Sequence, residues 1–213
     1  MTQTTKQKIA YSGIMFYILY YLVTAWFFIT GNDISLICWE VGIMFGAPVM
    51  LVVLLSILEN TNDKMKSWKI ASVAFMTFTI ALTGIVHIVS LTVVIPVAAS
   101  GIIIPDYFKF GQWPSFPMAI EYLAWGGGMG FAFIFGALAL PTENIGLKRV
   151  KHTMIVAGCL CLLGLFGVIF IDDLLWLIAP VGYCIGTPII CVQMILFYKS
   201  TIVKVKNTRI KRR

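Results

Sequence analysis

The stretch IASVAFMTFTIALTGIVHIVSLTVVI, residues 70–95, contains no Asp, Glu, Lys or Arg. A helix rising about 1.5 Å per residue crosses a hydrocarbon core of about 30 Å in roughly 20 residues. This run is long enough to do so, begins just after Lys69 and ends at Pro96. It reads as a membrane-spanning helix, and the search for others works outward from it.

Toward the N-terminus lie two more apolar runs. One extends from Ala10 to Thr30 and ends at the turn-forming Gly31-Asn32-Asp33; the other extends from Ser35 to Leu58. A polar segment, Glu59 to Lys69, separates the second from the third. Toward the C-terminus, a fourth run begins at Phe116-Pro117, where proline suits a first helical turn, and reaches Leu140 before Pro141. A fifth covers Thr153 to Ile171, and Asp172-Asp173 forms a tight turn before the sixth, Leu174 to Tyr198. Lys6 and Lys8 give the first run the look of a signal-peptide start. Its length and the poor cleavage site at Thr24-Ala25-Trp26 mark a retained helix instead. The expectation is an all-α polytopic membrane protein, with residues 1–200 forming one six-helix domain and 201–213 a basic cytoplasmic tail.

Composition agrees. Of 213 residues, 60% are hydrophobic and 12% charged, with a mean hydropathy of +0.93. Soluble domains are nearer 45–50% apolar and about 25% charged, so a water-soluble enzyme or a disordered chain is excluded. Cys38, Cys159, Cys161, Cys184 and Cys191 all fall in apolar stretches without a C-x-x-C pair. They read as small buried hydrophobes rather than a disulfide framework, zinc site or redox pair.

Fifteen of the sixteen Lys and Arg residues fall in the N-terminal segment, the second and fourth connections and the C-terminal segment; Lys109 alone lies opposite. The positive-inside rule then places both termini in the cytoplasm of a cell-membrane protein. The C-terminal basic segment reads as an anchor attracting anionic lipid headgroups. A cytoplasmic or membrane protein partner is compatible with it. Nucleic acid is not expected, because no aromatic residue follows Tyr198 to stack on bases. Between the third and fourth spans, Tyr107, Phe108, Phe110 and Trp113 suit a short element on the outer leaflet or a lid.

Small residues give helices in lipid their close contacts. Gly42-x-x-x-Gly46 in the second span, Gly126-Gly127-Gly128-Met129-Gly130 in the fourth and Gly182-x-x-x-Gly186 in the sixth predict a tight cluster of the even-numbered helices. Gly42, Gly46 and Pro48 align with Gly182, Gly186 and Pro188, which suggests three helical-hairpin repeats. Pro48, Pro180 and Pro188 are expected to kink or open their helices.

Three ionisable residues lie within spans, where such groups are costly and face a bundle interior or a wet cavity. Glu40 and Glu121 sit about 7 Å below the outer ends of their helices, and His87 about 12 Å below its own. On the third span Ser72, Thr79, Thr83, His87 and Ser90 form one polar stripe. On the fourth, Glu121 shares a face with Ala124, Gly128 and Ala132. Glu40 falls on an apolar face nearly opposite Gly42 and fits the group less well. The candidate ligand-binding or proton-coupling residues are His87, Glu121, Glu40, Thr83, Ser90, Tyr122 and Trp125, with Tyr17, Tyr20, Tyr21 and Trp39 as further walls. The bland reading is that both carboxylates reach interfacial water and His87 bonds a carbonyl. Gln193 is expected to bond between helices.

No Glu-x-x-His or His-x-x-x-His spacing supports a metal, His152 is too far from His87 for haem, and no Gly-x-Ser-x-Gly occurs. No cofactor and no catalytic group are therefore expected. The leading expectation is a transporter or substrate-capture membrane subunit with an outward-facing polar site. A structural or regulatory subunit comes next, then an intramembrane enzyme acting on a lipid.

Overall fold

A computed structural model describes residues 1–109, 113–170 and 177–210, with side chains described as far as residue 202. Among them there is no strand, and six helices are long and apolar enough to cross a membrane. Without water in the hydrocarbon, every backbone N–H and C=O needs an internal partner, and a helix supplies it. α1 is Gln3–Thr30 and α2 is Asp33–Leu58. α3 runs from Lys66–Val89 through a π turn, Ser90–Val94, into Ile95–Ala99. α4 joins Phe116–Glu121, a π turn at Tyr122–Gly128 and Met129–Ala139. α5 is Ile145–Phe170. α6 joins Ile178–Pro180, a π turn at Val181–Ile185 and Gly186–Ile210.

The ends are fixed by local chemistry. Thr2, Asn32 and Ser115 accept from the first-turn amides of Thr5, Ser35 and Met118, capping α1, α2 and α4. Gly31, with φ 57°, closes α1 in the left-handed conformation that a side chain would resist. Several boundaries differ from expectation. α1 starts at Gln3 rather than Ala10, α3 at Lys66 rather than Ile70 and α5 at Ile145 rather than Thr153, because a helix continues through polar residues beyond its apolar run. Pro96 does not stop the third span: it sits just after the π turn, where it falls at the start of the final helical segment. The sixth helix continues past Tyr198 to Ile210, because nothing between these positions breaks a helix. The expected Asp172-Asp173 turn and Phe110 lie outside the described residues.

The helices pack in chain order around a ring: each contacts the next, and α1 closes against α6. α4 is the most buried, followed by α2 and α6, but these three touch one another only sparsely. The expected tight cluster of even-numbered helices does not form, because the glycines of α4 and α6 make their close contacts with α3 and α5. The glycines of α4 explain its position. A Cβ on Gly130 would lie 3.0 Å from Leu162 Cγ and 3.1 Å from the Gly158 carbonyl of α5; one on Gly128 would meet Thr79 of α3. The two G-x-x-x-G motifs, however, do different things. Gly182 and Gly186 press on Ala157 of α5, whereas Gly42 and Gly46 have only looser aromatic neighbours, Tyr20, Trp125 and Phe16.

Polar bonds join the apolar helices. Ser72 donates to the Ala132 carbonyl at 2.7 Å and Thr79 to the Ala124 carbonyl at 3.1 Å, so the stripe on α3 faces α4. Gln193 donates to Thr153 between α6 and α5 at 2.8 Å. Pro188 cannot donate to the Cys184 carbonyl four residues back, and the Tyr21 hydroxyl of α1 donates to it instead. At the end of the bundle holding Glu59, that carboxylate accepts from the Met1 amine and from Lys6 at 3.1 Å. Tyr198 donates to the Ser56 carbonyl at 3.0 Å beside it, tying α1, α2 and α6 together.

Candidate functional site

Near the end of the bundle that carries the Gly31-Asn32 turn, three ionisable side chains from three helices meet. His87 of α3 stands between Glu40 of α2 and Glu121 of α4. Its Nδ1 pairs with Glu40 Oε2, and its Nε2 lies 3.5 Å from Glu121 Oε1. Ser90, one turn further along α3, donates to the second Glu40 oxygen at 2.8 Å. The Trp125 indole N–H donates to Glu121 Oε2 at 2.6 Å. Glu40 and His87 are wholly buried and Glu121 nearly so.

These contacts follow from where the residues stand on their helices. His87 and Ser90 are three apart and share a face. Glu121 and Trp125 are four apart, at the boundary where α4 enters its π turn. π turns are rare and cluster at functional sites. Here each of the three carries residues of this region: Ser90 in α3, Tyr122 and Trp125 in α4, Tyr183 and Cys184 in α6.

Of the residues anticipated from sequence, the structure brings His87, Glu121, Glu40, Ser90 and Trp125 into one bonded chain. Glu40 corrects the expectation. Its face was read as apolar and set apart, but that face packs on α3, so the carboxylate is the more intimate partner of His87. Thr83 lies one turn inward of His87, buried, and its hydroxyl bonds no group among the described residues. Tyr122 follows Glu121 directly, and its ring lies 6.2 Å from that of Trp113.

Glu121 is also a wall of a cavity of about 760 Å³ between α1, α2, α4 and α6. Its lining is mostly aromatic. Tyr17, Tyr20, Trp39, Tyr122, Trp125 and Tyr183 line it, with Phe27 stacked on Trp39 at 4.8 Å between ring centres. Gly42 and Gly46 leave room for it along α2, which accounts for their loose packing. Tyr183, Phe27 and Cys184 were missed in the sequence; the Gly-Tyr-Cys-Ile-Gly run flanked by Pro180 and Pro188 was the available signal. Glu121 thus has two faces, one toward the cavity and one toward His87, while Glu40 is sealed behind.

Charge sharpens the picture. Two carboxylates and one imidazole carry net negative charge unless they hold two protons between them. A buried ion pair is weak support for a fold, because desolvation offsets the attraction. Of the three groups, Glu121 borders the cavity, and His87 and Glu40 stand behind it. Among the described residues, no three His, Cys, Asp or Glu side chains are arranged to hold a metal ion. No protein-family model, curated protein or solved structure matches the chain.

Proposed function

We propose that this chain is a transporter or substrate-capture subunit of the cell membrane, with both termini in the cytoplasm and its ligand site open to the outer side. The observation that carries this reading is the Glu40–His87–Glu121 chain ending at a wall of the aromatic cavity. A cavity of about 760 Å³ is within the range of small-molecule sites. The paired groups behind it can adjust their protons as a ligand's charge enters, so ligand binding depends on pH. Basic residues support the orientation: Lys6, Lys64, Lys66, Lys148 and Lys151 lie at the end opposite the cavity, in helix starts and connections. The C-terminal basic segment then meets anionic headgroups of the inner leaflet, or a partner protein docked there. The three hairpins follow one another around the ring in one sense, as three copies of one unit would.

Single cysteines in a chain whose five native cysteines are replaced by alanine test the reading in intact cells. Thr24→Cys, on the cavity wall, and Lys109→Cys are expected to react with a membrane-impermeant maleimide added outside. Asn62→Cys is expected to react only after permeabilisation. Labelling of Asn62→Cys from outside, or of Thr24→Cys only after permeabilisation, overturns the proposal.

A further inference from the structure

The cavity wall combines features that select a chemical class of ligand. Its one formally charged side chain among the described lining residues is the Glu121 carboxylate; no Lys, Arg or His lines it. Glu121 is more than nine-tenths buried. Its Oε2 is held by Trp125, and its Oε1 pairs with His87 Nε2 at 3.5 Å. A solvated inorganic cation would find one carboxylate and scattered hydroxyls on a wall made mostly of ring faces. A ligand with an apolar body and a diffuse positive charge matches every part of the wall. The faces of Trp, Tyr and Phe attract such a charge, most strongly once water is removed. Trp39, stacked on Phe27, and Trp125, tilted against Tyr183 with 5.1 Å between ring centres, form two fixed ring pairs on the wall.

We propose that the cavity binds hydrophobic monovalent organic cations, such as quaternary ammonium groups on an aromatic or alkyl body, through the Glu121 carboxylate and the surrounding rings. The inference rests on the ligand-site reading above and names its substrate class. The Glu121 carboxylate is the acidic group on the wall itself, with His87 and then Glu40 behind it. An organic anion meets that charge across an apolar, poorly screening medium and is rejected.

The test uses the full chain in lipid nanodiscs and follows the intrinsic fluorescence of its six tryptophans, of which Trp39 and Trp125 stand on the wall. Three probes are titrated: benzyltrimethylammonium, its neutral carbon isostere neopentylbenzene, and benzenesulfonate. The cation is expected to give saturable quenching about tenfold tighter than the isostere, the scale of one desolvated cation–π or charge contact. Benzenesulfonate is expected to give none. Glu121→Gln is expected to weaken the cation by about tenfold and leave the isostere unchanged. Should that variant not fold, Trp39→Leu serves in its place, with the same loss confined to the cation. Equal binding of cation and isostere, or preference for benzenesulfonate, overturns the cation class while the cavity remains a ligand site. Absence of binding by all three overturns it as well, and together with a Thr24→Cys unreachable from outside it removes the underlying reading too.

Discussion

Replacing Glu40 with Leu removes the acceptor of both the His87 ring and the Ser90 hydroxyl, all three side chains being buried. Each buried donor left without a partner costs about 1–3 kcal/mol, and breaking one side of a buried ion pair about 3–5 kcal/mol. The two ranges overlap because they describe the same loss, so Glu40→Leu is expected to destabilise by about 3–5 kcal/mol. His87→Leu leaves Glu40 as a buried carboxylate that keeps the Ser90 donor, a loss of similar size. The double variant removes both ionisable groups and leaves apolar side chains of near-native volume. Its cost is expected to fall short of the sum of the singles by about 1–3 kcal/mol, the coupling seen for side chains in direct contact. Reversible unfolding of the purified chain in mixed micelles, titrated with SDS and read by tryptophan fluorescence, supplies the four free energies. Costs that add within about 0.5 kcal/mol would show that Glu40 and His87 do not touch, and the site as described would be wrong.

Glu121→Gln is expected to cost clearly less stability than Glu40→Gln in the same assay, because Glu121 borders a cavity and Glu40 is sealed. Gly158→Ala places a Cβ 2.7 Å from Ile134 Cγ1 and 2.8 Å from the Gly130 carbonyl. That overpacking is expected to cost about 1–3 kcal/mol. Gly84→Ala meets nothing within 4 Å and is expected to gain about 0.5–1 kcal/mol from lower backbone entropy. Melting temperatures that shift in the same direction would contradict the helix crossing. The Met1 amine and Lys6 hold the Glu59 carboxyl below its ordinary range. The folded state therefore binds this proton less readily than the unfolded one, whose carboxyl titrates near 4.3. The stabilisation is complete above that value and lost as pH falls toward the lower folded value. Glu59→Gln is expected to flatten the acid side of the melting-temperature profile slightly, since the group is largely exposed; an unchanged profile would rule the contact out.

Helix number and most helix ends were legible because the bilayer leaves the backbone few choices: a long apolar run bounded by Gly31, by Pro141 or by a polar segment can only be a helix there. The inward stripe of α3 was legible for a similar reason, since Ser72, Thr79 and His87 recur at helical spacing and cannot face lipid. Glu121 with Trp125 was legible as a pair four residues apart. The partnership of Glu40 was not. A helical wheel ranks faces by polarity, and the face of Glu40, with Ile37, Ile43 and Met44, gains its polar neighbours only from α3. The π turns were equally hidden, and each adds a residue to a turn, which rotates everything beyond it by roughly 100° from a straight wheel. Nor does the sequence distinguish a glycine that admits a helix, such as Gly182, from one that leaves space, such as Gly42. Only the packing of Tyr20 and Ala157 against them separates the two cases.

The central claim is that a carboxylate-bearing aromatic cavity opens to the outer side, and Cys184 on its wall measures this directly. With the other four cysteines replaced by alanine, intact cells are treated with two membrane-impermeant methanethiosulfonates, one bearing trimethylammonioethyl and the other sulfonatoethyl. After correction for their intrinsic reactivity with a free thiol, the cationic reagent is expected to modify Cys184 about tenfold faster, equivalent to roughly 1.4 kcal/mol of favourable field. Glu121→Gln is expected to bring the ratio close to unity. Modification only after permeabilisation, or a ratio near one in the chain that retains Glu121, would contradict the account.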